Sequence, residues 1–204
     1  RCSKRFLLNC TGTSQPVITT VSSKMNQLTY SLCQEPIIGV IMWVTSLCAF
    51  PPLFHDVPFS IEKAGSTVSQ SFTVPVDKKY YFEVCFEFAS VEARKIDKIV
   101  GTQYDEYFYD NSEIKGIPEE KKRALGHVIP FKIIIKNKLY GKVIIDRTFY
   151  SRGVSSHVDN KKWRRIGIVE LKRGDYITEV TCIENQSGLN DVITKISLTA
   201  GHGK

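Results

Sequence analysis

The chain has 204 residues, of which 42% are hydrophobic, a size and composition that suit one domain with a buried core and an appendage. The net charge is +7, but residues 1–49 carry four basic and one acidic side chain, so residues 50–204 hold an excess of only +4, which argues against nucleic acid as a partner. The six cysteines include no CxxC pair, which excludes zinc-ribbon and thioredoxin-like sites.

The first 50 residues are predicted to be an extension followed by an export signal. Residues 1–24 do not begin with Met and show no useful periodicity, so we interpret them as a non-native or disordered extension before Met25. Residues 25–50 contain the uncharged apolar run Ile37–Phe50, which is short for a spanning helix and has the length of a signal-peptide core. The alternative is a buried strand or helix of the domain. If the run is a signal peptide, the mature chain begins between residues 46 and 52.

Cys48 is a candidate for lipidation, because it stands at the end of the apolar run, where a bacterial lipoprotein carries its lipidated cysteine. The usual pattern has a small residue before the cysteine, and Leu47 is not small, so ordinary cleavage near Ala49 is the alternative. Both outcomes predict an exported protein, in the periplasm or as a membrane-anchored lipoprotein of a bacterium. The chain would meet a membrane only through the signal peptide or a lipid anchor.

The folded domain is predicted to span residues 54–200. Three prolines between Phe50 and Phe59 exclude helix and favour extended backbone. The clearest strand then has one unbroken apolar face opposed by polar positions and is typical of an antiparallel sheet with one wet side. Its apolar face consists of Tyr80, Phe82, Val84, Phe86 and Phe88.

A single short helix is predicted after this strand. The spacing of Ala89, Ala93, Ile96 and Val100 gives one apolar helical face, with Ser90 as N-cap and Gly101 as the stop. Such a helix would cover part of the sheet.

Residues 102–127 lack a sustained period and mix aromatic with charged residues, so we predict a long loop inserted between strands. Long loops inside compact domains are more often functional than idle. The loop includes a cluster of four aromatic residues whose rings could stack on sugars or anchor a protein partner. The alternative is that two or three of them plug the end of the fold beneath the helix. The cluster consists of Tyr104, Tyr107, Phe108 and Tyr109.

The remaining chain reads as strands separated by turns. The side chains of residues 129–136 alternate between two faces of a strand, and residues 142–150 supply its partner after the NKLYG turn. This pattern predicts a hairpin. SRGVSSHVDNKK is predicted to be a polar loop, and WRRIGIVEL, GDYITEVTC and NDVITKISLTA complete about eight strands. The fold class is therefore all-β, an antiparallel, jelly-roll-like β-sandwich. Six residues are expected in one core between two sheets: Phe82, Val84, Phe86, Phe131, Ile133 and Tyr176.

This order of elements resembles an uncharacterised bacterial family, the domain of unknown function 5625. The resemblance rests on FHDVPFSIEKAGSTV, YYFEVCFEF, GHVIPFKIIIKN, RRIGIVELKRGDYITEV and ISLTA, and it covers about Phe54 to Leu198. It also includes an LxxGxYxxxV pattern at Leu171, Gly174, Tyr176 and Val180. The resemblance implies an exported or lipid-anchored β-sandwich. It implies no activity and no catalytic residues, and this chain departs from the usual pattern in its poor lipidation motif and its N-terminal extension.

Motifs of known chemistry are missing from the sequence. There is no GxSxG, HExxH, GxGxxG, phosphate-binding loop or EF-hand, so we predict no metal and no cofactor. The four histidines fall in separate predicted loops or in the tail, and a metal site assembled from them is the alternative to solvated side chains: His55, His127, His157 and His202. Loop carboxylates could serve a glycoside hydrolase, though adjacent acids in a charged loop are usually solvated: Asp105, Glu106, Glu119 and Glu120.

A second candidate surface is KKWRR, where four cations flank a tryptophan: Lys161, Lys162, Trp163, Arg164 and Arg165. An anionic surface such as lipopolysaccharide could be its partner, because an indole favours interfaces with one wet end. The alternative is a charged loop entering a strand, with Trp163 packed against the domain.

The function expected from these features is noncovalent binding in the cell envelope, with an envelope protein or a glycan as partner. Three classes stay open: a carbohydrate-binding module that uses residues 104–109, a protein-interaction component that uses the same residues or KKWRR, and an enzyme that uses loop carboxylates. Cys85 and Cys182 are expected not to form a disulfide, because alternation places them on different faces of their strands. Cys182 should be a small buried hydrophobe, and Cys85 should be partly covered by the helix or loop.

Overall fold

The computed structural model describes residues 27–35, 50–101 and 125–200. These residues form two short helices, α1 (Gln27–Gln34) and α2 (Val91–Ile96), and nine strands. The strands are β1 (Phe54–Pro58), β2 (Thr67–Val74), β3 (Lys78–Glu87), β4 (Ile129–Asn137), β5 (Val143–Ser151), β6 (Ser156–Val158), β7 (Lys161–Leu171), β8 (Gly174–Cys182) and β9 (Ile193–Thr199).

The strands form two antiparallel sheets, with the order β1-β9-β3-β7-β6 in one and β2-β8-β4-β5 in the other. The pairs β4–β5, β3–β7, β2–β8 and β1–β9 are nested along the chain, so the strands follow one long hairpin folded over on itself. This is the jelly-roll topology, with β6 added at an edge. The predicted all-β sandwich is confirmed.

One hydrophobic core lies between the sheets, and all six residues predicted for it belong to it. Five of them are completely buried, and Tyr176 is 6% exposed. The Tyr176 hydroxyl donates a hydrogen bond to the carbonyl of Lys172 at 2.9 Å, so the polar end of this core side chain has a partner. Thr178, which interrupts the apolar face of β8, is also buried and donates to the carbonyl of Ile134.

The predicted helix begins where expected but ends early. The Ser90 side chain accepts a hydrogen bond from the Ala93 amide, as an N-cap does. The helix stops at Ile96 instead of continuing to Gly101, and Ile96 is 77% exposed instead of facing the sheet. The physical reason is Asp97, whose carboxylate accepts the amides of Ile99 and Val100 and turns the chain out of the helix.

Two short strands were not predicted. Residues 54–58, expected only as extended backbone, pair with β9 as strand β1. Part of the predicted polar loop pairs with β7 as strand β6. As a result β7 begins at Lys161, two residues before the predicted start at Trp163, and KKWRR is part of a strand.

Cys85 and Cys182 are both free, as predicted; Cys182 is buried as expected, and Cys85 is buried as well. Cys182 lies in the core opposite Phe131, whereas Cys85 is on the outer face of the five-stranded sheet. The cross-strand neighbours of Cys85 are Trp163 and Lys195, and its cover by the helix or loop stays a prediction, because residues 102–124 lie outside the described residues. Burial raises the pKa of the Cys85 thiol to about 11, so the thiol is neutral and unreactive at neutral pH.

Helix α1 contacts the sandwich through aromatic rings. The rings of Tyr30 and Phe50 meet edge to face with centroids 5.5 Å apart, and Lys78 Nζ lies 4.2 Å from the centroid of the Phe50 ring. No helix among the described residues has the length and hydrophobicity needed to cross a membrane. Cys48 and residues 37–49 of the apolar run lie outside the described residues, so the export signal stays a prediction.

Candidate functional site

The described residues on both sides of residues 102–124 are held by one buried side chain. Arg164, in β7, points to the same side of its sheet as Val84 and is completely buried. Its guanidinium donates to the carbonyls of Ile99 at 2.9 Å and Val100 at 2.9 Å on one side, and to that of His127 at 2.7 Å on the other. We call residues 97–101 and 125–127 the stem.

A second buried cation holds the first half of the stem. Lys162 Nζ lies 2.8 Å from a carboxylate oxygen of Asp97 and donates to the Gly101 carbonyl at 2.6 Å. The side chains of Lys162 and Asp97 are 3% and 7% exposed. Because Asp97 also accepts two stem amides, the turn after α2 is fixed from both the backbone and the side chain. Losing one partner of such a pair would leave a charge buried without compensation.

Burial lowers the pKa of Arg164 to about 9, and the nearby Asp97 carboxylate opposes this effect. The guanidinium therefore stays protonated at neutral pH and keeps all its donors. Those donors form hydrogen bonds with backbone carbonyls. A loop offers such acceptors because its carbonyls are not paired with a neighbouring strand. Arg164 is thus a structural cation that satisfies the backbone of the stem.

The two halves of the stem approach so closely that only glycine fits at position 126. A Cβ atom there would lie 2.5 Å from the Ile99 carbonyl oxygen and 2.7 Å from the Gly101 nitrogen. Gly126 also has a φ of +75°, in the left-handed region that glycine adopts without strain. The His127 amide closes the stem by donating to the Ile99 carbonyl at 2.8 Å.

The structure does not bring the five KKWRR residues to one surface. Strand alternation turns Lys162 and Arg164 inward, where the stem covers them, so they are unavailable to a ligand at the surface and that part of the prediction is wrong. Lys161, Trp163 and Arg165 lie on the outer face and are half-buried. Their role in binding stays a prediction.

The cations of that outer face are paired with acids. Glu87 lies 2.8 Å from Lys195 Nζ and 3.5 Å from Lys161 Nζ, and the hydrogen bond from Lys195 lowers the pKa of Glu87. The guanidinium of Arg165 lies 4.4 Å from the centroid of the Tyr81 ring, in a cation–π contact. The face is therefore of mixed charge and lacks the positive excess that an anionic surface would need.

The outer face also brings together a serine, a histidine and an aspartate. Ser197 Oγ lies 3.1 Å from His55 Nδ1, and His55 Nε2 lies 3.2 Å from a carboxylate oxygen of Asp56. Ser197 is 5% exposed, and its hydroxyl accepts the Asp56 amide at 3.1 Å within the bulge of β1. The trio stabilises this bulge and does not present an accessible nucleophile. Sequence reasoning missed it because the register of β1 on β9 carries no local signal.

The other predicted site residues are not close to one another or are not described. His127 lies in the stem and His157 in β6, so with His55 the three described histidines occupy separate places. Within the described ranges, no group of three His, Cys, Asp or Glu side chains could hold a metal ion. The aromatic cluster, the loop carboxylates and His202 lie outside the described residues. They are Tyr104, Asp105, Glu106, Tyr107, Phe108, Tyr109, Glu119, Glu120 and His202.

Comparisons with known proteins agree with this fold. A protein from Sulfurospirillum deleyianum has a crystal structure that matches with a TM-score of 0.54 and 22% sequence identity, covering 76% of this chain and 100% of that one. This likeness concerns the fold alone. No curated protein matches the sequence. The family model of the domain of unknown function DUF5625 matches residues 56–200, which is more than half of the chain. The chain therefore belongs to the DUF5625 family.

Proposed function

We propose that the protein is a noncovalent binding module of the bacterial cell envelope and that residues 102–124 are its recognition segment. The observation that carries this proposal is the anchoring of both ends of that segment by Arg164. Rigid scaffolds that hold the ends of long connections are the usual platform for binding loops.

The location in the envelope is supported by the sequence before the domain. The uncharged run Ile37–Phe50 has signal-core length, and it ends at prolines that cannot continue a helix. Lipidation at Cys48 and cleavage near Ala49 are the two routes to a mature exported protein. The first leaves the domain tethered to a membrane, and the second releases it into the periplasm.

A glycan is the ligand class favoured by the composition of the recognition segment. Its four clustered aromatic residues provide rings that can stack on the apolar faces of sugars, and its acids can accept hydrogen bonds from hydroxyls. An envelope protein would use the same rings as anchors. An enzyme that uses Glu106 is the third class, and it requires substrate turnover that depends on that carboxylate.

Replacing Tyr107 and Tyr109 together by alanine in the full chain is expected to weaken binding on a glycan array. Each stacked ring contributes on the order of 1 kcal/mol, so losing two should weaken affinity at least tenfold. Tyr140→Ala is the matched control, because Tyr140 is a 79% exposed tyrosine in the β4–β5 turn, at the end of β4 opposite to the stem. Unchanged glycan binding by the double variant would overturn the glycan proposal.

A pull-down with the same double variant and a turnover assay with Glu106→Gln separate the other two classes. If the wild type binds no glycan but pulls down a defined envelope protein, and the double variant does not pull it down, the segment is assigned to protein recognition. Turnover of a substrate that Glu106→Gln abolishes would make the protein an enzyme and contradict a purely noncovalent role.

A further inference from the structure

The hairpin turn between β4 and β5 holds two large apolar side chains in water. Leu139 is 77% exposed and Tyr140 is 79% exposed. The turn itself is well defined, because the Asn137 side chain accepts both of their amides at 3.0 Å and the Gly141 amide donates to the Asn137 carbonyl at 2.9 Å. Apolar side chains presented together on a fixed turn are typical of a contact surface.

Cations surround this turn at the same end of the sandwich. The Lys138 amide donates to the Asp175 carbonyl at 2.9 Å, which places the hairpin beside the β7–β8 turn, and the strand register places the β2–β3 turn at the same end. We call residues 75–79, 138–142 and 172–175 the basic end. It contains two acids, Asp77 and Asp175, and six cations: Lys78, Lys79, Lys138, Lys142, Lys172 and Arg173.

The chain also enters the domain near the basic end. Phe50 packs beneath Lys78, the first residue of β3, and Phe50 is the last residue of the apolar run that precedes the domain. An export signal or a lipid on Cys48 would therefore attach to the domain near this basic end. The outer face of the five-stranded sheet, where acids and cations are paired, offers no comparable excess.

We propose that the basic end docks on an anionic phospholipid bilayer, with Leu139 and Tyr140 inserted among the headgroups and the surrounding cations on lipid phosphates. A tyrosine places an apolar ring in the interface while its hydroxyl stays wet, and lysines and arginines near the surface gain from the negative potential of the leaflet. Two weak membrane signals together give stable attachment where one does not. This proposal does not depend on the function of residues 102–124.

Docking in this way directs the stem away from the bilayer. Strand β4 runs from Ile129, next to the stem, to Asn137, next to the hairpin turn. Nine residues of strand span roughly 30 Å. A docked domain would thus present the recognition segment to the space beyond the membrane.

Co-sedimentation of the full chain with vesicles tests the proposal. We expect stronger binding to phosphatidylcholine vesicles that contain phosphatidylglycerol than to phosphatidylcholine alone. The double variant Lys138→Glu, Lys142→Glu should lose about thirtyfold or more in partitioning onto the anionic vesicles. The control is Lys95→Glu, Lys98→Glu, which changes the net charge equally at the stem side of the domain and should bind more tightly than the first variant. Equal losses for the two variants, or no preference for anionic vesicles, would overturn the proposal.

Insertion of the hairpin turn into the bilayer can be measured separately, by quenching of tryptophan fluorescence in the same vesicles. In a Tyr140→Trp variant, brominated acyl chains should quench the added fluorescence relative to the wild type, whereas Ile193→Trp, at a position 59% exposed elsewhere, should show no added quenching. Matching circular dichroism spectra establish that the variants are folded. Equal quenching at the two positions would contradict insertion at the basic end.

Discussion

Replacing Arg164 by methionine is expected to lower the free energy of unfolding by about 2 to 6 kcal/mol. The carbonyls of Val100 and His127 would lose the donors that the guanidinium supplies, and each buried orphan carbonyl costs about 1 to 3 kcal/mol. Chemical denaturation of the two proteins measures the difference. Arg147→Met is the control, because Arg147 is exposed on an edge strand. A loss no larger than that of the control would mean that water satisfies the stem equally well.

Replacing Phe86 by alanine is expected to cost about 3 to 5 kcal/mol of stability. Phe86 is completely buried in the core. It lies on β3, directly opposite Lys162 of the paired strand β7. The substitution removes apolar contacts and leaves a cavity that the two packed sheets can fill only in part. Thermal or denaturant unfolding checks the value.

Tyr150→Ala serves as the control for Phe86, since Tyr150 is an aromatic residue that is 48% exposed on β5. Its loss should change stability by about 0.5 kcal/mol or less. Similar costs for the two substitutions would contradict the assignment of Phe86 to the centre of the core.

The sandwich could be predicted because its strands carry a period-two pattern that needs no knowledge of their partners. Phe82, Val84 and Phe86 alternate with polar residues, and the structure places all three in the core. Strands β1 and β6 were missed because their pairing is decided by the neighbouring strand and not by their own short sequences.

The role of Lys162 and Arg164 could not be predicted by the same reasoning. Hydropathy assigns cations to the surface, and their partners are carbonyls and a carboxylate about 40 to 65 residues away in the chain. Asp97 had a comparable effect on the helix, where side-chain bonds to the backbone ended a pattern that continued in sequence. In each case a polar side chain forms hydrogen bonds with backbone groups of a loop, and hydrophobic periodicity contains no signal for such bonds.

Hydrogen–deuterium exchange of the Arg164→Lys variant tests most directly the claim that this side chain holds both ends of residues 102–124. We expect faster exchange in the stem, residues 97–101 and 125–127, while the amides of β2, Thr67–Val74, keep the protection of the wild type. Exchange that is unchanged in the stem, or that rises equally in the stem and in β2, would contradict it.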